Sequence, residues 1–244
     1  MDIIPVLDLL DGVVVRGVAG ERDKYRPIVS QLAASPDPSI ILNAIRDTFG
    51  THQFYLADLD AIQFQQLNRC TIAELSRGDV SLIVDRGVRS VQDAEELFEL
   101  GVDKIVVALE TLSGPALARE LADCFGSERL ILSLDLRHSE VLTTLDQWKS
   151  QPPLHIAQEL ASLGFQQFIV LDLASVGTNG GIPTLPLCRE LRALLPTVQL
   201  ITGGGVRGID DLRDAAAAGV DATLVASALH DGCLTADDLL NLQG

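Results

Sequence analysis

Ile201-Thr202-Gly203-Gly204-Gly205-Val206-Arg207 is an apolar strand that runs into three consecutive glycines and then into a helical pattern beginning at Ile209. Glycines leave backbone N–H groups bare, free to close on an anion at the start of a helix, which is the usual way a phosphate is held. The same unit occurs 118 residues earlier. Residues 81–108 (SLIVDRGVRSVQDAEELFELGVDKIVVA) lie on residues 199–226 (QLITGGGVRGIDDLRDAAAAGVDATLVA) without a gap, with 11 identities in 28 positions. For a chain of this composition about two are expected by chance. The identities include Gly87/Gly205, Arg89/Arg207, Asp93/Asp211 and the Gly-Val-Asp before the next strand in each copy. Helix amphipathicity explains shared Leu and Ala, but not a Gly-Val-Arg and a Gly-Val-Asp in register. A shift near half of the 244 residues predicts a protein built from two similar halves.

Outward from these units, apolar runs and helical patterns alternate along the whole chain. Strands are expected at residues 3–8, 53–60, 80–85, 104–108, 130–135, 167–172, 198–202 and 222–226, and helices at 39–49, 71–77, 91–100, 115–125, 154–163, 185–195, 209–218 and about 235–240. After the first strand, the Asp11-Gly12 turn leads to a short return strand at 13–16, and a second return strand is expected near 141–145. The charged stretch 17–27 reads as a mobile loop long enough to close over a site. Strands apolar on both faces, alternating with helices, imply a parallel sheet. Its simplest closure is a (β/α)8 TIM barrel, one domain over residues 1–244, with half-barrels at roughly 1–122 and 123–244. An open doubly wound sheet is less well supported, because no G-x-G-x-x-G follows the first strand.

Composition narrows the partners. A 47% hydrophobic chain can build one substantial core. A formal charge of −16 argues against nucleic acid and against an anionic membrane surface. A phosphorylated ligand must then be held by local amides and a few Arg side chains, against the overall field. Cys70, Cys124, Cys188 and Cys233 stand far apart and read as reduced, mostly packed thiols, so neither a metal nor a disulfide is expected. The start of the chain lacks a basic leader, and no apolar run reaches 18 residues, so a cytoplasmic protein is expected. Oligomeric state is left open.

In such a barrel the active site sits where the C-terminal strand ends converge. Those ends present Asp8, Asp58, Asp85, Asp135, Asp172 and Thr202, with the Gly87 and Gly203-Gly204-Gly205 loops beside them. An Asp after a strand also serves simply to cap the next helix. Asp8 and Asp135 stand out: they end opposite strands in similar contexts, Leu7-Asp8-Leu9 and Leu134-Asp135-Leu136. One can serve as general base and the other as general acid on a substrate spanning the mouth. The histidines His52, His138, His155 and His230 are scattered and read as surface or structural residues. The Glu21 to Arg26 cluster reads as a solvated loop, with Arg22 or Arg26 as a less favoured phosphate contact.

Ile4-Pro5-Val6-Leu7-Asp8-Leu9, Asp11-Gly12, Val15-Arg16, Gly87-Val88-Arg89-Ser90, Ser133-Leu134-Asp135, Gly177-Thr178 and Gly203-Gly204-Gly205-Val206, in that order, resemble the HisA/HisF barrels of histidine biosynthesis. The resemblance covers essentially the whole chain. It implies a half-barrel duplication, a substrate with two phosphates and one phosphate site per half. For HisA it implies a cofactor-free Amadori rearrangement of a phosphoribosylformimino-aminoimidazole-carboxamide ribotide, an aminoaldose, to its aminoketose. Asp135 would then be the acid that opens the ribose ring and Asp8 the base that removes the C2 proton. Arg16, Arg86, Gly87, Thr178, Gly203, Gly204, Gly205 and Ser227 would be the substrate and phosphate contacts.

The chain departs from the family pattern at several of these places. Val176-Gly177-Thr178 stands for the usual Asp-Gly-Thr, Arg86-Gly87 for Gly-Gly, Ala108-Leu109 for Gly-Thr or Gly-Ser, and Ala226-Ser227 for Gly followed by Arg or Lys. Both phosphate sites are altered, the first-half one more. Two alternatives therefore stand beside a HisA-like isomerase: a paralogue with a changed phosphorylated substrate, and a barrel that binds a phosphorylated ligand without catalysis. HisF-like cyclase chemistry ranks lower, because that subgroup usually has Lys where Arg16 stands.

Overall fold

The apolar runs form the eight parallel strands of a closed barrel in the computed structural model, which describes residues 1–243. In chain order the strands are β1 (Asp2–Leu10), β2 (Val13–Arg16), β3 (Arg26–Pro27), β4 (Gln53–Asp58), β5 (Ser81–Asp85), β6 (Lys104–Ala108), β7 (Leu130–Arg137), β8 (Glu140–Val141), β9 (Gln167–Asp172), β10 (Gln199–Gly203) and β11 (Ala222–Val225). The barrel runs β1-β4-β5-β6-β7-β9-β10-β11 and closes where β11 pairs with β1, Asp2 to Pro5 lying against Ala222 to Val225. β1 and β7 are thus four strands apart in either direction. β2, β3 and β8 are antiparallel additions outside the ring.

Strand alternation divides the apolar residues into two cores. Ile4, Tyr55, Ile83, Val106, Ile131, Ile169, Ile201 and Ala222 fill the barrel interior, while residues such as Leu7, Phe54, Leu82, Ile105, Leu132 and Leu200 pack under the helices. Small Ala57, near the C-terminal end of β4, borders the space left there. The helices repeat the predicted pattern at Pro38–Phe49, Arg69–Leu75, Val91–Glu99, Pro115–Phe125, Pro153–Ser162, Leu185–Leu194, Ile209–Ala217 and Ala236–Gln243. Among the described residues no helix is long and apolar enough to cross a membrane.

Several boundaries differ from the sequence expectation. β1 continues past Asp8 to Leu10 because β2 pairs with it, Asp8 against Val15, so Asp8 lies within the strand. Asp60 belongs to a helix, Leu59–Phe64, and not to the second barrel strand. Between β8 and the next long helix lies a short helix, Asp146–Lys149, whose Trp148 is fully buried and donates to Glu159 at 3.0 Å. Another short helix, Ser227–His230, follows β11. Contrary to expectation, Cys70, Cys124 and Cys233 are exposed and only Cys188 is packed. Burial pushes the Cys188 thiol up to about 11.

Several hydrogen bonds recur at matching positions in the two halves. Arg89 N–H donates to Asp93 and Arg207 N–H to Asp211, at 2.8 and 2.7 Å. Leu82 N–H donates to Asp103 and Leu200 N–H to Asp221, at 2.9 and 2.7 Å. Each half also opens with a hairpin whose two turn residues have positive φ: Asp11 and Gly12 (51° and 76°), His138 and Ser139 (53° and 68°). That is the geometry of a type I′ turn. Each tip is fastened by a carboxylate from the next barrel strand's loop: Asp60 accepts from Asp11 N–H, and Asp172 from the amides of His138 and Ser139.

Candidate active site

The strand-end aspartates separate into two groups once their partners are known. Asp58 accepts from the amides of Ala61 and Asn68 and from the Asn68 side chain, and Asp172 accepts from Ala174 N–H as well as from the hairpin tip. Both are caps, the simpler role. Thr202 points away from the barrel axis to Thr184 and to the Val170 carbonyl. Asp8, Asp85 and Asp135 instead line one cavity of about 110 Å³ at the C-terminal mouth. Tyr25, Tyr55, Glu110, Arg22, Val176, Gly204, Gly205 and Ser227 also border it.

Parity explains the separation. Asp8 pairs with Ala57, Ala57 with Asp85, and Asp135 with Leu171, so these side chains share the inward phase of the strands. Asp58 and Asp172 are one residue out of that phase and face outward.

Burial raises all three inward carboxyls. Asp8 is pushed up to about 7, with the nearby Arg22 guanidinium opposing the shift. Asp85 is raised to about 6, chiefly by burial; it accepts from Gly87 N–H at 2.8 Å and from the Tyr55 hydroxyl at 3.2 Å. Asp135 lies well above the usual carboxylate range, by burial first and then by the neighbouring Asp85 charge. Ser133 Oγ–H donates to Asp135 Oδ1 at 2.7 Å, whereas Oδ2 has no partner among the described residues. Losing solvent outweighs the one nearby cation, so the site holds carboxyls of different proton affinity at neutral pH.

The charged loop 17–27 is packed across the mouth. A 3-10 turn, Arg22–Lys24, leads to Tyr25, which is buried. Ala19 N–H donates to the Val176 carbonyl at 2.7 Å, and Gly17 lies so close to Asp8 and Val176 that a Cβ there would stand 2.9 Å from both. Arg22 is not solvated, as the sequence suggested, but pairs with Glu110 at 3.0 Å in the cavity wall. Arg26 stays exposed and donates to the carbonyls of Asp23 and Tyr25.

Of the residues picked from the sequence, Asp8, Asp135, Gly204, Gly205 and Ser227 border the cavity; Arg16, Arg86, Gly87, Thr178 and Gly203 do not. Arg16 forms a two-pronged pair with Asp231. Arg86 is buried and turned outward onto Asp93 and Glu96, the pairing a buried guanidinium requires. Thr178 donates to the Ser175 carbonyl, and Gly203 closes β10 against Leu224. Of the histidines, His230 is fully buried against Ser30, and burial lowers it to about 4; the structural reading fits it. Tyr25, Tyr55 and Glu110 were not singled out. Strand parity is the sequence signal for Tyr55, and Glu110, two residues beyond β6, shares the inward phase of Ala108.

Fold and site together define a (β/α)8 barrel whose mouth is crossed by the 17–27 loop and bordered by the carboxyls of Asp8, Asp85, Glu110 and Asp135 and by Gly204 and Gly205. The pattern described as histidine biosynthesis protein matches residues 2–235, and the chain belongs to that family. It is 32% identical to an uncharacterised protein of Methanocaldococcus jannaschii over the full length of both chains. It is 30% identical over 242 residues to the 1-(5-phosphoribosyl)-5-((5-phosphoribosylamino)methylideneamino) imidazole-4-carboxamide isomerase of Lactiplantibacillus plantarum, covering 97% of each chain. The enzyme of the same name from Methanosphaera stadtmanae is 27% identical over the full length of both.

Proposed function

We propose that the protein is an aldose–ketose isomerase acting on a phosphorylated ribosylamine, with Asp135 as general acid and Asp8 as general base. The observation that carries this is the pair itself: two inward carboxyls on opposite barrel strands, bordering one cavity, both raised by burial. Asp135, whose proton burial helps it to keep, donates to the ribose ring oxygen; the C1–O bond breaks and the substituent nitrogen's lone pair forms the C1 iminium. Asp8 removes the C2 proton, and the electrons of that C–H bond form the C1–C2 enaminol. Return of a proton to C1 and loss of the C2 hydroxyl proton give the ketose, so C1 is reduced as C2 is oxidised and no external electrons are needed. Loop 17–25 keeps bulk water from the iminium, and the amides at Gly204 and Gly205 with Ser227 are read as the phosphate cradle.

The imidazole-carboxamide compound named for the relatives is the first substrate to try. Its conversion to the aminoketose by the wild type supports this reading, and Asp8→Asn and Asp135→Asn are each expected to lower turnover of the accepted substrate by about 10² to 10⁴-fold with the fold intact. An undiminished variant removes that residue from the chemistry. A changed phosphorylated substrate is the second reading, favoured by Glu110 in the first-half wall; it is supported if wild type leaves the imidazole-carboxamide unconverted.

A further inference from the structure

The 118-residue shift superimposes the two loops that would each receive a phosphate, and they are not alike. Gly204, Gly205, Ala226, Ser227 and Ala228 in the second half correspond to Arg86, Gly87, Ala108, Leu109 and Glu110 in the first. On the second-half side those residues line the cavity, with no charged side chain among them. Arg207 there folds outward onto Asp211, its side chain 60% exposed, and Gly181 N–H donates to the Gly205 carbonyl at 2.9 Å.

Every corresponding feature of the first half is closed or of the wrong sign. Arg89, the counterpart of Arg207, folds inward and donates to the carbonyls of Gly87 and Ile62, at 2.6 and 2.9 Å. The Gly87 amide already donates to Asp85. Arg86 is held away by Asp93 and Glu96, and Leu109 is buried in the outer core where Ser227 offers a hydroxyl. Glu110 brings a carboxylate to the wall where Ala228 stands opposite, and the nearest cation, Arg22, is already paired with it. Between the two ends, Asp135 borders the cavity and is 6% exposed, and its buried Oδ2 has no hydrogen-bond partner among the described residues.

We infer that the ligand carries a single phosphate, held by the second half, and that its other end is a hydrogen-bond-donating head group, an amine, amide or hydroxyl face, directed at Glu110 and Asp85. This rests on the reading of Gly204, Gly205 and Ser227 as the phosphate cradle. A second phosphate would meet the carboxylates of Glu110 and Asp85, with the Gly87 amide already taken by Asp85.

Calorimetric titration of the full chain with inorganic phosphate tests the count, with ribose 5-phosphate and the relatives' bisphosphorylated compound as competitors. One equivalent of phosphate is expected, displaced by ribose 5-phosphate and abolished in Ser227→Asp. The bisphosphorylated compound should bind more weakly than ribose 5-phosphate, and Glu110→Gln should tighten it about tenfold while leaving ribose 5-phosphate within threefold. Two equivalents in wild type, or a bisphosphate bound more than tenfold better than the monophosphate, overturns the inference. No phosphate binding removes the cradle as well. One equivalent with no isomerisation leaves the inference standing and removes the proposed chemistry; two equivalents with isomerisation does the reverse.

Discussion

Asp8 carries opposing demands on activity and stability. A base must be ionised, so kcat/KM for the proposed reaction should rise with pH up to about 7, the value to which burial pushes this carboxyl. The same shift weakens the fold. Below about pH 4 the group is protonated in folded and unfolded chains alike; between about 4 and about 7 the unfolded chain has released its proton and the folded one has not, so stability falls across that window. Asp8→Asn removes this cost. It should raise Tm by about 2–4 °C at pH 8, on the order of 1 kcal/mol after allowing for partial solvent access, and by nothing at pH 4. Thermal melts at the two pH values check this, and equal gains at both would rule out the ionisation account. The sequence showed Asp8 and Asp135 through their shared Leu-Asp-Leu setting. It could not rank Asp58, Asp85 and Asp172, because one residue of strand phase separates a cap from a cavity wall, and that phase is fixed by pairing with neighbours far along the chain.

Elements whose reach is local were legible, and those fastened by distant contacts were not. The strands at 104–108 and 167–172 and the helix at 115–125 fall where apolar periodicity put them. The 17–27 stretch looked mobile because its composition is charged; Arg22 and the Ala19 amide find their partners 88 and 157 positions away, in Glu110 and Val176. The tightest fastening is at Gly177. Its φ is +68°, and a side chain there would collide with the Gly17 carbonyl oxygen, so the loop rests directly on glycine backbone. Gly177→Ala should therefore lift the loop while sparing the barrel core. Trypsin should cut at Arg22 and Lys24 at least several-fold faster, kcat/KM should drop about tenfold as water enters, and Tm should move by only a few degrees. Unchanged proteolysis would show that the loop does not depend on this contact.

At the scale of the whole molecule, the Gly-Val-Asp and Gly-Val-Arg shared along the sequence correspond to matching hydrogen bonds. The repeat is a weaker guide to the site, where the halves have diverged in charge and not in backbone. Charge also acts at long range. The chain carries a formal −16, and the cavity adds Asp8, Asp85 and Glu110 against the single Arg22, so a phosphorylated ligand approaches up a repulsive field and is favoured only on contact with the glycine loop. Salt shortens that field: the Debye length falls from about 30 Å at 0.01 M to about 8 Å at 0.15 M. Attraction to a basic site would make association slower as NaCl is added. Here the opposite sign is expected, a severalfold rise in the association rate of ribose 5-phosphate between those two concentrations, with the dissociation rate nearly constant because the contacts that hold the phosphate lie within a few ångströms. Stopped-flow competition in NaCl reads both rates. A falling association rate would mean that the local cation, Arg22, dominates the approach, and would place the phosphate beside Glu110 and not at Gly204 and Gly205.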